Sequence, residues 1–299
     1  MNETFYRTST DEERVFYNYS NQYPLYLERD YLSTYPNFSA ESHWHDEVEL
    51  LICHSGQMDY NINGTILSLT PGTGVFVNSR QLHYGFSNEH QECYFTCIIF
   101  SPKILASSSL LENTYITPLL QHPGYPYLFF QEDTSWGQEL FSSILEIAQL
   151  HGSPHAILKT QKLLYQIWIA LFEQLPDSNT ANVSIDNHLP EVKAMMELIH
   201  THYQEDLTLD QIAAAGHVCK SKCCKLFRHY LYRAPIAYLT LYRLQKSAIL
   251  LQTTDLSITE IAYAVGFHGA SYYAETFRKW MGCNPREFRL TNKQIQISC

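Results

Sequence analysis

Positive charge is scarce in this chain of 299 residues, where 20 lysines and arginines stand against 30 aspartates and glutamates, for a net charge of −10. Over the whole chain, that shortage argues against a polyanionic partner, because a phosphate backbone rewards Lys and Arg. Long apolar runs are also missing. No stretch approaches the roughly 18 uninterrupted apolar residues of a membrane span, and the first twenty residues carry no basic segment followed by an apolar one. The expectation is a cytoplasmic protein without a membrane partner. A disulfide framework is absent too. Cys53, Cys93, Cys97, Cys219, Cys223, Cys224, Cys283 and Cys299 are scattered without secretory context, which predicts reduced thiols. What remains is the balance of a folded protein, 45% hydrophobic and 17% charged, and a length that allows two domains with separate cores.

The acidity is confined to one half. Residues 1–189 hold 7 basic against 21 acidic side chains, whereas residues 190–299 hold 13 against 9. Such asymmetry is expected of a nucleic-acid-binding domain joined to one that does not touch nucleic acid. Between them, residues 176–190 are poor in bulky apolar side chains and bracketed by Pro176 and Pro190, so they read as a linker. The domains are then 1–175 and 191–299.

In the first half, short runs such as Glu47–Cys53, Gln57–Ile62 and Tyr94–Phe100 alternate with turn signals at Asn63-Gly64 and Pro71-Gly72, predicting a small β-barrel or sandwich over about 20–101. Two helices are expected after it, within about 134–175. Trp136, Leu140, Ile144 and Ile147 form the first stripe; Leu164, Ile167, Trp168, Leu171, Phe172 and Leu175 form the second. The second stripe is broad enough to pack on the sheet and also to serve a dimer.

An internal repeat marks the second half. Residues 208–218 match 257–267 at an offset of 49, and Ser221 to Arg228 match Ser271 to Arg278 at an offset of 50. Each copy opens with a capping box, Thr208-x-x-Gln211 and Ser257-x-x-Glu260. Ile212 with Ala213, and Ile261 with Ala262, would bury one face, and a short turn would bring in Val218 or Phe267. The next helix would keep Phe227 or Phe277 inward. Its outer face carries Lys220, Lys222, Lys225, Arg228 and His229 in one copy and Arg278 with Lys279 in the other, suited to a DNA major groove.

This region resembles the DNA-binding domain of the AraC/XylS family of transcription regulators. The likeness rests on Ile258-Thr-Glu-Ile-Ala262, Val265-Gly266-Phe267, Phe277-Arg-Lys279 and Gly282-x-x-Pro285-x-x-Phe288-Arg289, with Ala234-Pro235, Arg243-Leu244 and Leu250-Leu251 in the joint and linking helix. The resemblance implies an all-α domain of two helix-turn-helix modules on one long helix, reading major-groove faces roughly 34 Å apart. By the same likeness, Ser221, Cys224 and Lys225, then Ser271, Tyr272, Ala274 and Glu275, would meet bases, while Arg228, Arg278 and Lys279 would meet phosphates. Tyr232 stands where the family favours glycine, so this helix is expected to end differently. Glu275 stands where a basic residue is common, which removes pairing with guanine and allows pairing with cytosine N4. The spacing of Cys219, Cys223 and Cys224 is not that of a structural zinc site.

In the first half, His43-x-His45-x3-Glu49-x6-Gly56, then Gly72-x-Gly74 and His83, resemble the two motifs of the cupin superfamily. His43, His45 and Glu49 share parity and would face the barrel interior, opposite Val48, Leu50 and Ile52. The expected ligand pocket comprises His43, Trp44, His45, Glu49, Arg80, His83 and Tyr84, suited to a sugar or small acid. Without a committed cofactor, the residues leave open a divalent metal on His43, His45, Glu49 and His83.

The fold class is thus α+β in two domains, a cupin-like barrel with a helical pair and then the double helix-turn-helix domain. The expected function is a transcription regulator, not an enzyme, that binds double-stranded DNA and a small-molecule effector, most simply as a homodimer, with RNA polymerase as a partner if it activates. Two alternatives stay open: a metal-dependent cupin enzyme with an accessory DNA-binding module, and a dimeric regulator that needs no ligand.

Overall fold

The computed structural model describes residues 23–150, 152–175 and 188–297. The expected linker lies outside these residues except for its last three, and Leu189 and Pro190 already belong to a helix.

Eight strands build the first half: β1 Leu25–Tyr31, β2 Val48–Gly56, β3 Met58–Ile62, β4 Thr65–Leu69, β5 Thr73–Val77, β6 His83–Phe86, β7 Cys93–Phe100 and β8 Tyr127–Gln131. They form a five-stranded sheet, β1-β7-β2-β5-β8, and a three-stranded sheet, β4-β3-β6. The two antiparallel sheets face each other as in a sandwich, and among the described residues no continuous ladder joins them. A cupin-like jelly roll accommodates this arrangement. The segment before β2 runs beside β6 through bridges Ser39↔Phe86 and His43↔His83, then crosses to the large sheet.

Strand alternation divides the cores. Val48, Leu50 and Ile52 of β2 pack with Phe76, Ile98 and Phe100 against helices α1 Ser135–Gln149 and α2 Ala156–Phe172. Leu51 and Cys53 turn the other way and meet Met58, Tyr60, Ile62 and Leu69 of the small sheet. The large sheet is thus covered on both faces. That explains why β8 escaped the sequence reading: its run Tyr-Leu-Phe-Phe-Gln lacks polar alternation, because Leu128 and Phe130 face the helices while Tyr127 and Phe129 face the small sheet. The predicted stripes do pack as expected, with Leu140, Ile144, Ile147, Leu164, Ile167, Trp168 and Leu171 buried.

The second half is helical: α3 Leu189–His202, α4 Leu209–Ala215, α5 Lys220–Leu231, α6 Pro235–Thr253, α7 Ile258–Ala264, α8 Ala270–Met281 and α9 Pro285–Ile297. Helices α4/α5 and α7/α8 are the two helix-turn-helix units, joined by the 19 residues of α6. Both capping boxes close. Gln211 N donates to Thr208 Oγ1 at 3.3 Å while Thr208 N donates to Gln211 Oε1 at 2.8 Å, and Ser257 with Glu260 repeats the exchange at 3.1 and 2.7 Å.

The expectation for Tyr232 is corrected. Helix α5 ends, like α8, on a left-handed residue: Tyr232 has φ 55° where Gly282 has φ 78°. A side chain there costs about 1–2 kcal/mol. Its hydroxyl offsets part of that by donating to Gly64 O at 2.7 Å in the β3–β4 turn. Gly64 needs its own lack of a side chain, since a Cβ would stand 2.5 Å from His229 O.

The two boxes are independent local devices. Ser257→Ala and Thr208→Ala should each lower stability by about 1 kcal/mol, measured by chemical denaturation followed by circular dichroism.

Candidate functional site

The segment 43–49 and strand β6 bring four side chains to the corner where the chain crosses between sheets. His43, His45, Glu49 and His83 each offer one ligating atom, and these atoms lie within 4.8 Å of one another. The backbone fixes the tautomers. Each imidazole has Nδ1 against a carbonyl two residues away: His43 with Glu41 O at 2.8 Å, His45 with Glu47 O at 3.2 Å and His83 with Gln81 O at 2.8 Å. Since a carbonyl only accepts, all three Nδ1 atoms carry the proton, and a neutral ring then presents the Nε2 lone pair to the centre.

Glu49 faces these rings, with its Oε2 3.2 Å from His83 Nε2 and 3.5 Å from His45 Nε2. Its Oε1 accepts a short hydrogen bond from Tyr60 OH. His45 Nε2 is buried without an aligned hydrogen-bond partner. Three ring nitrogens and a carboxylate oxygen therefore converge, an arrangement that a proton on one of the rings or a shared cation satisfies.

Burial would raise the Glu49 carboxyl, but the neighbouring charges and hydrogen bonds of His83 and His45 hold it well below the usual carboxylate range. Burial, followed by the charges of His83 and His45, drives His43 down to about 3, so this ring is neutral. For His45, burial is outweighed by the nearby carboxylates of Glu49 and Glu47, and its pKa rises, which favours a proton on this ring. Three imidazoles with fixed tautomers and one carboxylate fit a divalent transition ion, with the carbonyls as outer-shell supports.

The other expected pocket residues do not join this cluster. The alternation that turns His43, His45 and His83 inward turns Trp44, Leu82 and Tyr84 outward, where they pack against the first helix-turn-helix module. Arg80 also points away, pairing with Asp46 at 2.7 Å with both side chains more than 70% exposed. Tyr60 belongs to the site instead. It lies among 22 tyrosines, and only its place between inward-facing Met58 and Ile62 distinguishes it.

The outward face forms a domain contact. Leu82 is fully buried in one apolar cluster with Val192, Met196, Ile199 and Tyr238. Ser42 Oγ lies 2.9 Å from Tyr238 OH, which is 2.8 Å from His200 Nε2. Trp44 stacks on His200 at 6.2 Å and lies under Lys193 Nζ, which also donates to Arg80 O. Lys246 pairs with Glu41 at 3.0 Å. Tyr238 closes the Ala234-Pro235-Ile-Ala-Tyr238 run that resembles the family's joint, whereas no sequence pattern marked His200, Lys193 or Lys246.

The expected DNA-reading residues sit on the outer faces of α5 and α8. Ser221, Lys225, Arg228, Ser271, Tyr272, Glu275, Arg278 and Lys279 are exposed, together with Lys220, while Lys222, Cys224 and Ala274 are half-buried. Cys223, Phe227, Tyr273 and Phe277 are buried beneath them. Lys220 pairs with Asp210 at 2.8 Å, and Glu275 with Lys279 at 2.7 Å.

Comparison with known proteins covers both halves. Residues 31–168 match the AraC-like ligand binding domain, and residues 197–291 match a helix-turn-helix domain. The chain is similar to YdeC of Bacillus subtilis, an uncharacterized HTH-type transcriptional regulator, at 31% identity over 260 residues, which is 84% of this chain and 86% of the relative. It is similar to the melibiose operon regulatory protein of Escherichia coli at 25% identity over an alignment of 303 residues, 98% of each chain. Among solved structures, ToxT of Vibrio cholerae with bound unsaturated fatty acid aligns at 13% identity and a TM-score of 0.45, over 89% of this chain and 94% of its own.

Burial, and then the charge of Lys246, lowers His200 from 6.5 to about 4. The folded state therefore favours the neutral ring. This contribution to stability is complete above pH 6.5 and is lost as pH falls towards 4, by at most about tenfold per unit in the folding equilibrium. Denaturation midpoints at pH 7 and pH 5 should show the loss, and His200→Gln should reduce it.

Proposed function

The chain belongs to the AraC/XylS family of transcription regulators, and on that premise we propose that its two recognition helices read successive major-groove faces under control of an effector bound in the N-terminal half. It is a DNA-binding regulator with a ligand-binding domain, not an enzyme. The observation that carries the DNA reading is the division of α5 and α8 into a buried face and a polar, exposed one. Ser221, Cys224 and Lys225 of α5, and Ser271, Tyr272, Ala274 and Glu275 of α8, are assigned to bases. Lys220, Lys222, Arg228, Arg278 and Lys279 are assigned to phosphates.

The pairing of Glu275 with Lys279 gives α8 its own chemistry. The carboxylate stays ionised beside the ammonium, and that positive charge softens its repulsion from phosphates while one oxygen accepts from cytosine N4. No helix among the described residues is long and apolar enough to cross a membrane. The described cysteines are free thiols, which suits the cytoplasm.

The effector is assigned to His43, His45, Glu49 and His83. What converges there is lone pairs, so the effector brings positive charge or hydrogen-bond donors. Binding changes DNA affinity or activation only if the effector favours one arrangement of the halves. A homodimer is assigned to the outer face of α2, where Leu158 is 71% and Ile169 55% exposed about three turns apart, although Leu164, Ile167 and Trp168 already fill the sheet-facing side.

On duplexes selected from a random library, Lys225→Ala should cost about 1–3 kcal/mol and relax preference at one half of the site; unchanged discrimination in a binding assay would overturn the placement of α5. Leu158→Glu with Ile169→Glu should convert a dimer to a monomer in light scattering, and an unchanged mass would remove this interface.

A further inference from the structure

We propose that Cys53 and Cys93 form a redox modification site, where hydrogen peroxide or another small peroxide converts the two buried thiols into a disulfide. The inference rests neither on the effector site nor on the DNA reading.

The strands bring the sulfurs together. Cys53 of β2 and Cys93 of β7 lie 40 positions apart in the chain, yet their Sγ atoms are 3.5 Å apart. The two are diagonal rather than opposed, since Cys53 faces Phe95 and Cys93 faces Gly56. In a regular ladder diagonal neighbours stand well apart; here a bulge between Cys53 and Ser55 sharpens the local twist. Gly56 lets the corner close, because a Cβ there would stand 1.9 Å from Glu92 O, and Gln57 N donates to the same oxygen at 3.0 Å. A disulfide needs about 2.05 Å between sulfurs, so the pair has only about 1.5 Å to close.

Burial selects the oxidant. Cys53 is 1% and Cys93 0% exposed, but the chain beside them, residues 55–57 and 88–92, is exposed. A bulky disulfide such as oxidised glutathione is kept from the sulfurs, whereas a peroxide of nearly water's size reaches them through a small opening of the corner. Donation from the Cys93 thiol lowers the Cys53 pKa against the effect of burial, which makes Cys53 the attacking thiolate. Its sulfur takes one peroxide oxygen, the O–O bond breaks, and the leaving hydroxide takes up the proton that Cys53 gave up, forming water. The Cys93 sulfur then attacks the Cys53 sulfenic acid; the S–S bond forms as the S–O bond breaks, and the second oxygen leaves as water with the Cys93 proton. Two thiols and one peroxide thus give one disulfide and two waters, and the sulfurs lose the two electrons that the peroxide gains.

All three strands of the small sheet, with β5, lie between the two cysteines. The bond closes that loop and restricts the unfolded chain, so oxidation stabilises the N-terminal half and reduction loosens it. Such reversible pairs are the form that disulfides take in a reducing compartment.

In the test, the full chain is reduced, exposed to hydrogen peroxide while folded, alkylated in denaturant and mapped by peptide mass spectrometry. Cys53 and Cys93 should appear in most chains as one linked pair, lighter by two hydrogens and returned to free thiols by dithiothreitol. The oxidised chain should unfold at a higher urea concentration than the same sample after dithiothreitol. In Cys93→Ala the reaction should stop at a Cys53 sulfenic acid that dimedone traps. Oxidised glutathione should link the pair in the urea-unfolded chain and fail to do so in the folded one over the same period. The site is overturned if both cysteines are recovered as free thiols after peroxide has oxidised the exposed Cys219, or if they link to other cysteines instead of each other. An unchanged unfolding midpoint after linkage overturns the stabilising role, and linkage of the folded chain by oxidised glutathione overturns the selection for a small oxidant. Cys53→Ala that forms a sulfenic acid on Cys93 as fast as Cys93→Ala forms one on Cys53 overturns the choice of attacking sulfur.

Discussion

The pair of main-chain hydrogen bonds between His43 and His83 is the constraint on which the rest of the N-terminal half depends. Two strands held in that register must present alternate side chains to opposite faces. One face receives three imidazoles and, from the adjoining sheet, Glu49. The other receives Ser42, Trp44, Leu82 and Tyr84, which meet the DNA-binding half. A slip of one residue would exchange these sets, placing the tryptophan inside and the histidines against α3 and α6. The register therefore decides together where the imidazoles and Glu49 converge and where the second half docks.

The contact surface explains an asymmetry between two otherwise duplicated modules. The second closes its recognition helix on Gly282, where a left-handed turn is inexpensive. The first uses Tyr232 in the same conformation, and its hydroxyl reaches Gly64 of the sensor half. Ser221 and Lys225 remain exposed on the outer face of α5, so docking positions the module without covering them.

Much of this was legible in the chain. The repeat with its two capping boxes, the alternation of β2 and the apolar stripes of α1 and α2 are local patterns, and each was met in the structure. The partners of Glu49 were partly legible. Parity selected His43 and His45, but the same parity, applied to Trp44 and Tyr84, also excluded them from the interior. Their aromatic character had suggested a pocket wall, whereas they serve the contact between halves. Arg80 follows β5 rather than lying in it, and its positive φ of 63° carries its side chain to the surface. Strand β8 was missed because its run Tyr-Leu-Phe-Phe-Gln puts apolar side chains on both faces of the sheet and so has no polar alternation to read.

The sequence by itself determined the two halves, the duplicated helix-turn-helix and the donor types near residues 43–49, because capping, periodicity and parity act within a few residues. Only tertiary structure decided that the barrel is two facing sheets, that Tyr60 completes the Glu49 site, and that Trp44 stacks on His200. Those contacts join residues far apart in the chain, 156 positions in the last case, and no local pattern encodes the partner. The helix-turn-helix domain was therefore visible in the order of residues, while its attachment to the N-terminal half emerged only when the outward face of the His43–His83 pair met Tyr238.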